Sequence, residues 1–182
     1  MKIAIFFGGS GYIGKNIIFK FLELKIFDKI IIGDIKPSDI KNENVEYFNI
    51  DVRKKILLEV GNIDQDNSWI FNLAAIHREP GHQPYEYYET NILGAENVID
   101  FAERIGIKNI FFTSSIAPYG ESLEQRTEKS LLMPVTPYGI SKTIAEKIHM
   151  IWQAKSNSRR LIICRPAVIY GPKDPGNILR MI

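Results

Sequence analysis

The chain has 182 residues, a net charge of +2 and 24% charged side chains, values typical of one globular domain with a sizeable core. Basic and acidic residues are interspersed, which argues against nucleic-acid binding because no basic face is formed. The N-terminus lacks a signal-peptide pattern and no apolar run approaches the ~18 residues of a membrane span. We therefore expect a cytoplasmic protein with neither a nucleic-acid nor a membrane partner.

Strand-like and helix-like segments alternate along the whole chain. Runs of apolar and β-branched residues predict six strands, over residues 2–7, 29–33, 45–50, 68–74, 109–114 and 160–169. Apolar residues at helical spacing predict helices over residues 12–24, 84–106 and 138–154. This alternation is typical of an α/β protein with a doubly wound parallel sheet, a Rossmann fold.

Glycines between the first predicted strand and the first helix form a candidate phosphate-binding turn. Gly9, Gly11 and Gly14 match G-x-G-x-x-G, whereas Gly8, Gly11 and Gly14 match G-x-x-G-x-x-G. Either pattern brings backbone N–H groups and a helix N-terminus to a pyrophosphate. A glycine turn kept for tightness alone is the alternative at this stage.

Two aspartates at predicted strand ends are candidate cofactor ligands. Asp34 ends the second strand, twenty positions after Gly14. A carboxylate there accepts both ribose hydroxyls and repels a 2′-phosphate, so NAD is favoured over NADP, although Lys36 weakens this preference. Asp51 follows the third strand and is a candidate partner for the adenine amino group; a loop or N-cap aspartate is the alternative.

A tyrosine and a lysine open the helix after the fifth strand. Tyr138 and Lys142 are four residues apart and share one helix face. A nearby ammonium favours the phenolate and makes a tyrosine usable as a general acid/base at neutral pH. Ser115 ends the fifth strand, at the sheet edge where ligands bind in such folds, so its hydroxyl is placed to bond a substrate. An exposed helix pair is the alternative for tyrosine and lysine alone.

The single cysteine, Cys164, excludes an internal disulfide framework and a Cys-rich zinc site, and no metal is expected. It lies in the apolar run 161–164, so we expect a buried side chain.

Taken together, these stretches resemble the extended short-chain dehydrogenases/reductases, in particular the NAD-dependent nucleotide-sugar epimerase/dehydratase group. The resemblance runs from residue 1 to about residue 172, with the motifs in the family's order. The matching stretches are GGSGYIG at 8–14, Asp51-Val52, NLAA at 72–75, Asn91, SSIAPYG at 114–120, TPYGISK at 136–142 and RPAVIYGP at 165–172.

The resemblance implies a role for each matching residue. It implies Tyr138 as the general acid/base, Lys142 as the group that binds the nicotinamide ribose and tunes the tyrosine, and Ser115 as the hydroxyl that orients the substrate. His77 lies either near the nicotinamide or in a solvated loop. The implied NAD contacts are Gly8, Gly11, Tyr12, Ile13, Gly14, Asp34, Asp51, Val52, Leu73, Ala74, Ala75, Asn91, Tyr138 and Lys142.

The activity that the resemblance implies is nucleotide-sugar epimerisation, in which a sugar carbinol loses a hydride to NAD and regains it on the other face of a keto intermediate. The family's 4,6-dehydratases carry an Asp-Glu pair where this chain has Ile116-Ala117, which have no proton to donate, so dehydration is disfavoured. An NAD(P)-dependent reductase of a keto-sugar or other carbonyl is an alternative. A non-catalytic NAD(P)-binding sensor is another, although the intact Ser115, Tyr138 and Lys142 count against it.

The resemblance also implies a larger protein than this chain. We expect residues 1–172 to form an NAD-binding Rossmann domain and residues 173–182 to begin a truncated C-terminal region. In the resembling family a substrate domain follows, and ten residues cannot build one. Family members often dimerise through the helices that match residues 84–106 and 138–154, so a homodimer is expected.

Overall fold

The structure, a computed structural model, describes residues 1–78 and 81–172. It has one parallel sheet in the order β3-β2-β1-β4-β5-β6, which confirms the doubly wound fold. The strands are β1 (Ile3–Phe7), β2 (Lys29–Asp34), β3 (Val45–Asn49), β4 (Trp69–Asn72), β5 (Asn109–Thr113) and β6 (Arg160–Cys164). The α-helices are α1 (Tyr12–Leu24), α2 (Pro84–Tyr87), α3 (Gly94–Ile105) and α4 (Pro137–Ala154).

The central strand β1 is buried on both faces, as its continuous apolar sequence predicts. Ile3, Ile5 and Phe7 share one core cluster with residues of α3 and α4. Ala4 and Phe6 belong to a second cluster with residues of α1. The alternation of side chains along β1 therefore anchors helices on both sides of the sheet and fixes the sheet's carboxyl edge between them.

The helix predicted over residues 84–106 is not one continuous α-helix. A π-helical turn, Tyr88–Leu93, separates α2 from α3. Apolar periodicity did not reveal this turn, because the buried stripe resumes in α3 with Ala95, Val98 and Ala102. Such wider turns are frequent at functional sites, and this one contains the buried Asn91.

The prediction that Cys164 is buried is wrong, because its side chain is exposed. Cys164 and Ile162 lie on the face of β6 that continues the α1 side of the sheet, opposite Thr113 and Phe111 of β5. Within residues 1–78 and 81–172, no helix covers that face of this edge strand. Strand β6 is also shorter than expected, because it ends at Cys164 rather than at residue 169.

Some expectations concern residues that the structure does not describe. The region predicted to begin a C-terminal part, residues 173–182, lies outside the described residues. Among the helices that are described, none has the length and apolar content needed to cross a bilayer.

Candidate active site

The carboxyl edge of the sheet gathers most of the predicted site residues. The glycine turn follows β1, Asp34 ends β2, Leu73 follows β4 and Ser115 follows β5. Ligands in doubly wound sheets bind at this edge, near the point where the strand order reverses, which here lies between β1 and β4.

The glycine turn is packed too closely for side chains at three of its positions. Gly8 has φ +83°, and an added Cβ there would lie 2.6 Å from the backbone nitrogen of Ala74. A Cβ on Gly14 would lie 2.6 Å from the carbonyl oxygen of Gly9, and one on Gly9 would lie 2.8 Å from Phe6 Cβ. The structure thus requires glycine at the first position of each predicted pattern, Gly9 and Gly8, and at the last position that they share, Gly14.

The N-terminus of α1 opens beside this turn without a side-chain cap. Gly11 is the N-cap residue and the first turn carries no acid. The Oγ atom of Ser10 is buried without a hydrogen-bond partner among the described residues. Uncapped N–H groups and an unused hydroxyl at a helix N-terminus suit an anion such as a pyrophosphate.

The two predicted acidic ligands differ in how their oxygens are used. Asp34 accepts hydrogen bonds from the backbone nitrogens of Ser10 (3.0 Å) and Lys36 (2.9 Å), one on each carboxylate oxygen, which leaves lone pairs free on both. Asp51 binds the Arg53 guanidinium through both oxygens, and this contact lowers the pKa of Asp51. This ion pair suits a loop aspartate as well, and a contact of Asp51 with the adenine amino group stays a prediction.

Helix α4 presents Tyr138 and Lys142 on one face. The helix begins where Thr136 Oγ1 caps the backbone nitrogen of Gly139 at 3.1 Å. The Lys142 side chain is buried and its Nζ lies 4.3 Å from the centre of the Phe112 ring. Burial lowers the pKa of Lys142 to about 7, although the negative charge of Glu146 acts to raise it. Its ammonium therefore titrates in the neutral range.

Residues 114–119, called the Ser115 segment below, pack against the first turn of α4. Ser115 Oγ accepts a hydrogen bond from the backbone nitrogen of Ala117 at 3.1 Å and keeps its own proton to donate. A Cβ added to Gly139 would lie 2.8 Å from the Ala117 carbonyl oxygen, so only glycine permits this approach. The segment thus reaches the residue next to Tyr138.

Asn91 connects the loop after β4 to α4. Its Oδ1 accepts from the Ile76 nitrogen (2.9 Å), and its Nδ2 donates to the Ile76 carbonyl (3.0 Å) and to Ser141 Oγ (2.9 Å). Ser141 Oγ donates in turn to the Tyr138 carbonyl at 2.7 Å. Both amide hydrogens of Asn91 are used, so a contact with NAD has only an Oδ1 lone pair available.

The remaining predicted contacts lie in the first turn of α1, after β3 and after β4. Tyr12 and Ile13 are half-buried in the first turn of α1. Val52 lies in the core beneath Gly94, whose added Cβ would be 2.9 Å from Val52 Cγ2. Leu73, Ala74 and Ala75 follow β4 and are half-buried.

His77 has no resolved role. Its side chain is exposed, in the loop after β4. Partial desolvation and the nearby Arg78 and Lys142 cations lower the pKa of His77, which keeps the ring neutral at physiological pH.

Sequence reasoning missed three buried polar residues of α4. Ser141, Glu146 and His149 are each at most 1% exposed. Their signal was present, because polar side chains there share the buried helix face with Ala145 and Trp152. Burial lowers the pKa of His149 to about 4, so the ring is neutral. Among the described residues, no cluster of His, Cys, Asp or Glu is arranged to hold a metal ion.

Comparison with known proteins places this geometry in a family. The model of the "NAD dependent epimerase/dehydratase family" matches residues 4–182. The chain is 34% identical to an Escherichia coli O157:H7 N-acetyl-alpha-D-glucosaminyl-diphospho-ditrans,octacis-undecaprenol 4-epimerase, over 96% of the chain and 51% of that protein. The chain spans about half the length of the curated relatives it matches.

Solved structures share the fold. A crystal structure of UDP-galactose 4-epimerase superposes with a TM-score of 0.84 at 22% identity, covering 97% of this chain and 60% of that one. The UDP-Glc/GlcNAc 4-epimerase from Campylobacter jejuni superposes with a TM-score of 0.77 at 25% identity, covering 91% of this chain and 53% of that one.

Proposed function

Because this chain belongs to the NAD-dependent epimerase/dehydratase family, we propose that it is the cofactor-binding and catalytic part of a nucleotide-sugar epimerase. One observation carries the proposal: Tyr138 and Lys142 share a face of α4, with the Ser115 segment packed on the first turn of that helix. A protein that only senses a cofactor needs the glycine turn and Asp34 but has no use for this arrangement.

The glycine turn and its surroundings fit NAD. The uncapped start of α1 and the unused Ser10 hydroxyl suit the pyrophosphate, and Asp34 keeps lone pairs for the ribose diol. Lys142 would hold the nicotinamide ribose at the other end of the site. When bound, NAD supplies the acceptor that takes a hydride from the sugar carbon and returns it. The other residues that we assign to the NAD site are Gly8, Gly11, Tyr12, Ile13, Gly14, Asp51, Val52, Leu73, Ala74, Ala75 and Asn91.

Three side chains of this protein take part in the transfer of the sugar hydroxyl proton. In its ionised form, Tyr138 takes the proton of the sugar hydroxyl at the reacting carbon and later gives it back. The Lys142 ammonium stabilises that phenolate, since a close cation favours the charged form. Ser115 donates a hydrogen bond to the same sugar oxygen. Among the described residues, Ser115 Oγ accepts a hydrogen bond from Ala117 and donates none, so its hydroxyl hydrogen is available.

The substrate class follows from the relatives, whose names state epimerisation at position 4 of hexoses attached to a diphosphate. The test is to incubate the full-length protein with NAD and UDP-glucose or UDP-N-acetylglucosamine. We expect the 4-epimer by NMR, with no net change in nicotinamide absorbance. Stoichiometric cofactor consumption would favour the reductase instead. Failure to invert any UDP-, GDP- or dTDP-sugar would contradict nucleotide-sugar epimerisation.

The preference for NAD gives a separate prediction. Asp34→Ala is expected to weaken NAD binding by about 10–100-fold, since a hydrogen bond to a charged group contributes about 1.5–3 kcal/mol. It should bind NADP better than the wild type does, because the carboxylate that repels a 2′-phosphate is gone and Lys36 is nearby. Titration calorimetry with both cofactors measures this. Asp39→Ala, which removes an exposed carboxylate paired with Lys15, should change neither affinity; equal losses in the two variants would refute the role of Asp34.

The larger assembly is also proposed. We take residues 1–172 as the NAD-binding domain and residues 173–182 as the start of a C-terminal region that completes the substrate site. A homodimer through the segments 84–106 and 138–154 is supported by exposed apolar side chains on α4, Ile144, Met150 and Ile151. The cytoplasmic location expected from the sequence stays a prediction.

A further inference from the structure

A buried carboxylate lies next to the candidate catalytic lysine. Glu146 is 1% exposed and follows Lys142 by one helical turn on the same face of α4. Arg165, just after β6, donates to both of its oxygens, from Nε at 2.8 Å and from Nη2 at 2.7 Å. A carboxylate is rarely buried unless it is paired and fully hydrogen-bonded, and this one satisfies both conditions.

Hydrogen bonds also connect the Glu146 carboxylate to the Ser115 segment. Ser114 Oγ donates to Glu146 Oε1 at the start of the segment. At its other end, Tyr119 Oη accepts a hydrogen bond of 2.7 Å from Arg165 Nη1. The hydroxyl of Ser115 is therefore carried on a segment whose two ends are both tied, directly or through Arg165, to Glu146.

The charges around Lys142 do not cancel. When Lys142 is protonated, Lys142 and Arg165 bring two positive charges against one negative charge on Glu146, and His149 is neutral. One net positive charge therefore remains beside Tyr138, and an ionised tyrosine would balance it. Among the described residues, the groups close to the lysine ammonium also include the Phe112 ring, His77 and His149.

We propose that Glu146 is a positioning residue, whose carboxylate balances the charge of Lys142 and, with Arg165, holds the Ser115 segment against α4. Its consequence for turnover rests on the proposed function, because it acts through Lys142, Tyr138 and Ser115. The effect of Glu146 on the charge of Lys142 does not rest on the proposed function, since it concerns only the protonation of Lys142.

Glu146→Gln tests the proposal at Lys142. Removing the negative charge takes away the group that raises the pKa of Lys142, so this pKa should fall below about 7. A fall of one unit lowers the protonated fraction about tenfold at a pH well above that pKa. NMR titration of 13Cε-labelled lysine in the full chain measures it, with the Lys142 signal assigned by its loss in Lys142→Met.

Arg165→Gln makes the opposite change in charge. It tests the proposal even if Glu146→Gln does not fold. It removes the cation that neutralises Glu146, so the negative charge of Glu146 acts more strongly on Lys142 and the pKa of Lys142 should rise. General loosening of the fold would not move the two variants in opposite directions. Glu103→Gln removes an exposed carboxylate paired with Lys155 (2.9 Å) and should leave the Lys142 titration unchanged.

These outcomes separate the inference from the proposed function. An unchanged Lys142 pKa in Glu146→Gln, or the same direction of shift in both variants, overturns the inference even if the protein epimerises sugars. Opposite shifts in a protein that epimerises nothing support the inference while the proposed function fails.

Discussion

Tyr138→Phe is expected to lower turnover about 10²–10⁴-fold, the usual contribution of a general acid/base. The substitution removes one oxygen and keeps the ring, which packs 6.1 Å from the ring centre of Tyr87. The backbone of Tyr138 still accepts from Ser141, so the first turn of α4 should persist. NAD affinity should change little, because the glycine turn and Asp34 are untouched. Steady-state rates and calorimetric NAD titration measure both quantities.

The matched control is Tyr85→Phe, the same change at an exposed tyrosine of α2. It should leave turnover unchanged. Retained function in Tyr138→Phe would favour the cofactor-sensing alternative. Loss of NAD binding in that variant would instead point to a structural role for the hydroxyl.

Local patterns predicted most of the fold because burial decides it. The run Ile3–Phe7 is apolar throughout and lies at the centre of the sheet, buried on both faces. The glycines around the start of α1 were also predictable, since the close packing of a strand, a tight turn and a helix leaves few other residues possible at Gly8 and Gly14.

The features that escaped prediction depend on contacts between distant residues. The π turn at Tyr88–Leu93 adds one residue to a turn without interrupting the apolar stripe, so periodicity continues across it. Cys164 belongs to an apolar run, yet its exposure is decided by what covers the edge of the sheet.

In the candidate site, the contact between Glu146 and Arg165 also escaped prediction. The two residues lie nineteen positions apart on different elements, and spacing alone does not predict that they meet. The only signal in the sequence was an acid on the buried face of α4, which requires a partner there. By contrast, Tyr138 and Lys142 were predictable because one helix sets their separation.

Gly8→Ala is expected to destabilise the chain by about 2–5 kcal/mol and to abolish NAD binding. The positive φ of +83° costs a residue with a Cβ about 1–2 kcal/mol. The new methyl would also lie 2.6 Å from the Ala74 nitrogen and 2.8 Å from the Leu73 carbonyl carbon. Overpacking of this kind costs about 1–3 kcal/mol, and backbone atoms cannot rotate away as a side chain can.

Gly61→Ala separates the two contributions. Gly61 also has a positive φ, +63°, but an added Cβ would meet nothing within 4 Å. It should therefore cost only the conformational part, about 1–2 kcal/mol, and leave NAD affinity unchanged. Urea unfolding monitored by circular dichroism gives both free energies. Equal destabilisation of the two variants would mean that the turn at Gly8 yields to the new methyl, and NAD bound by Gly8→Ala with wild-type affinity would remove the glycine turn from the cofactor site.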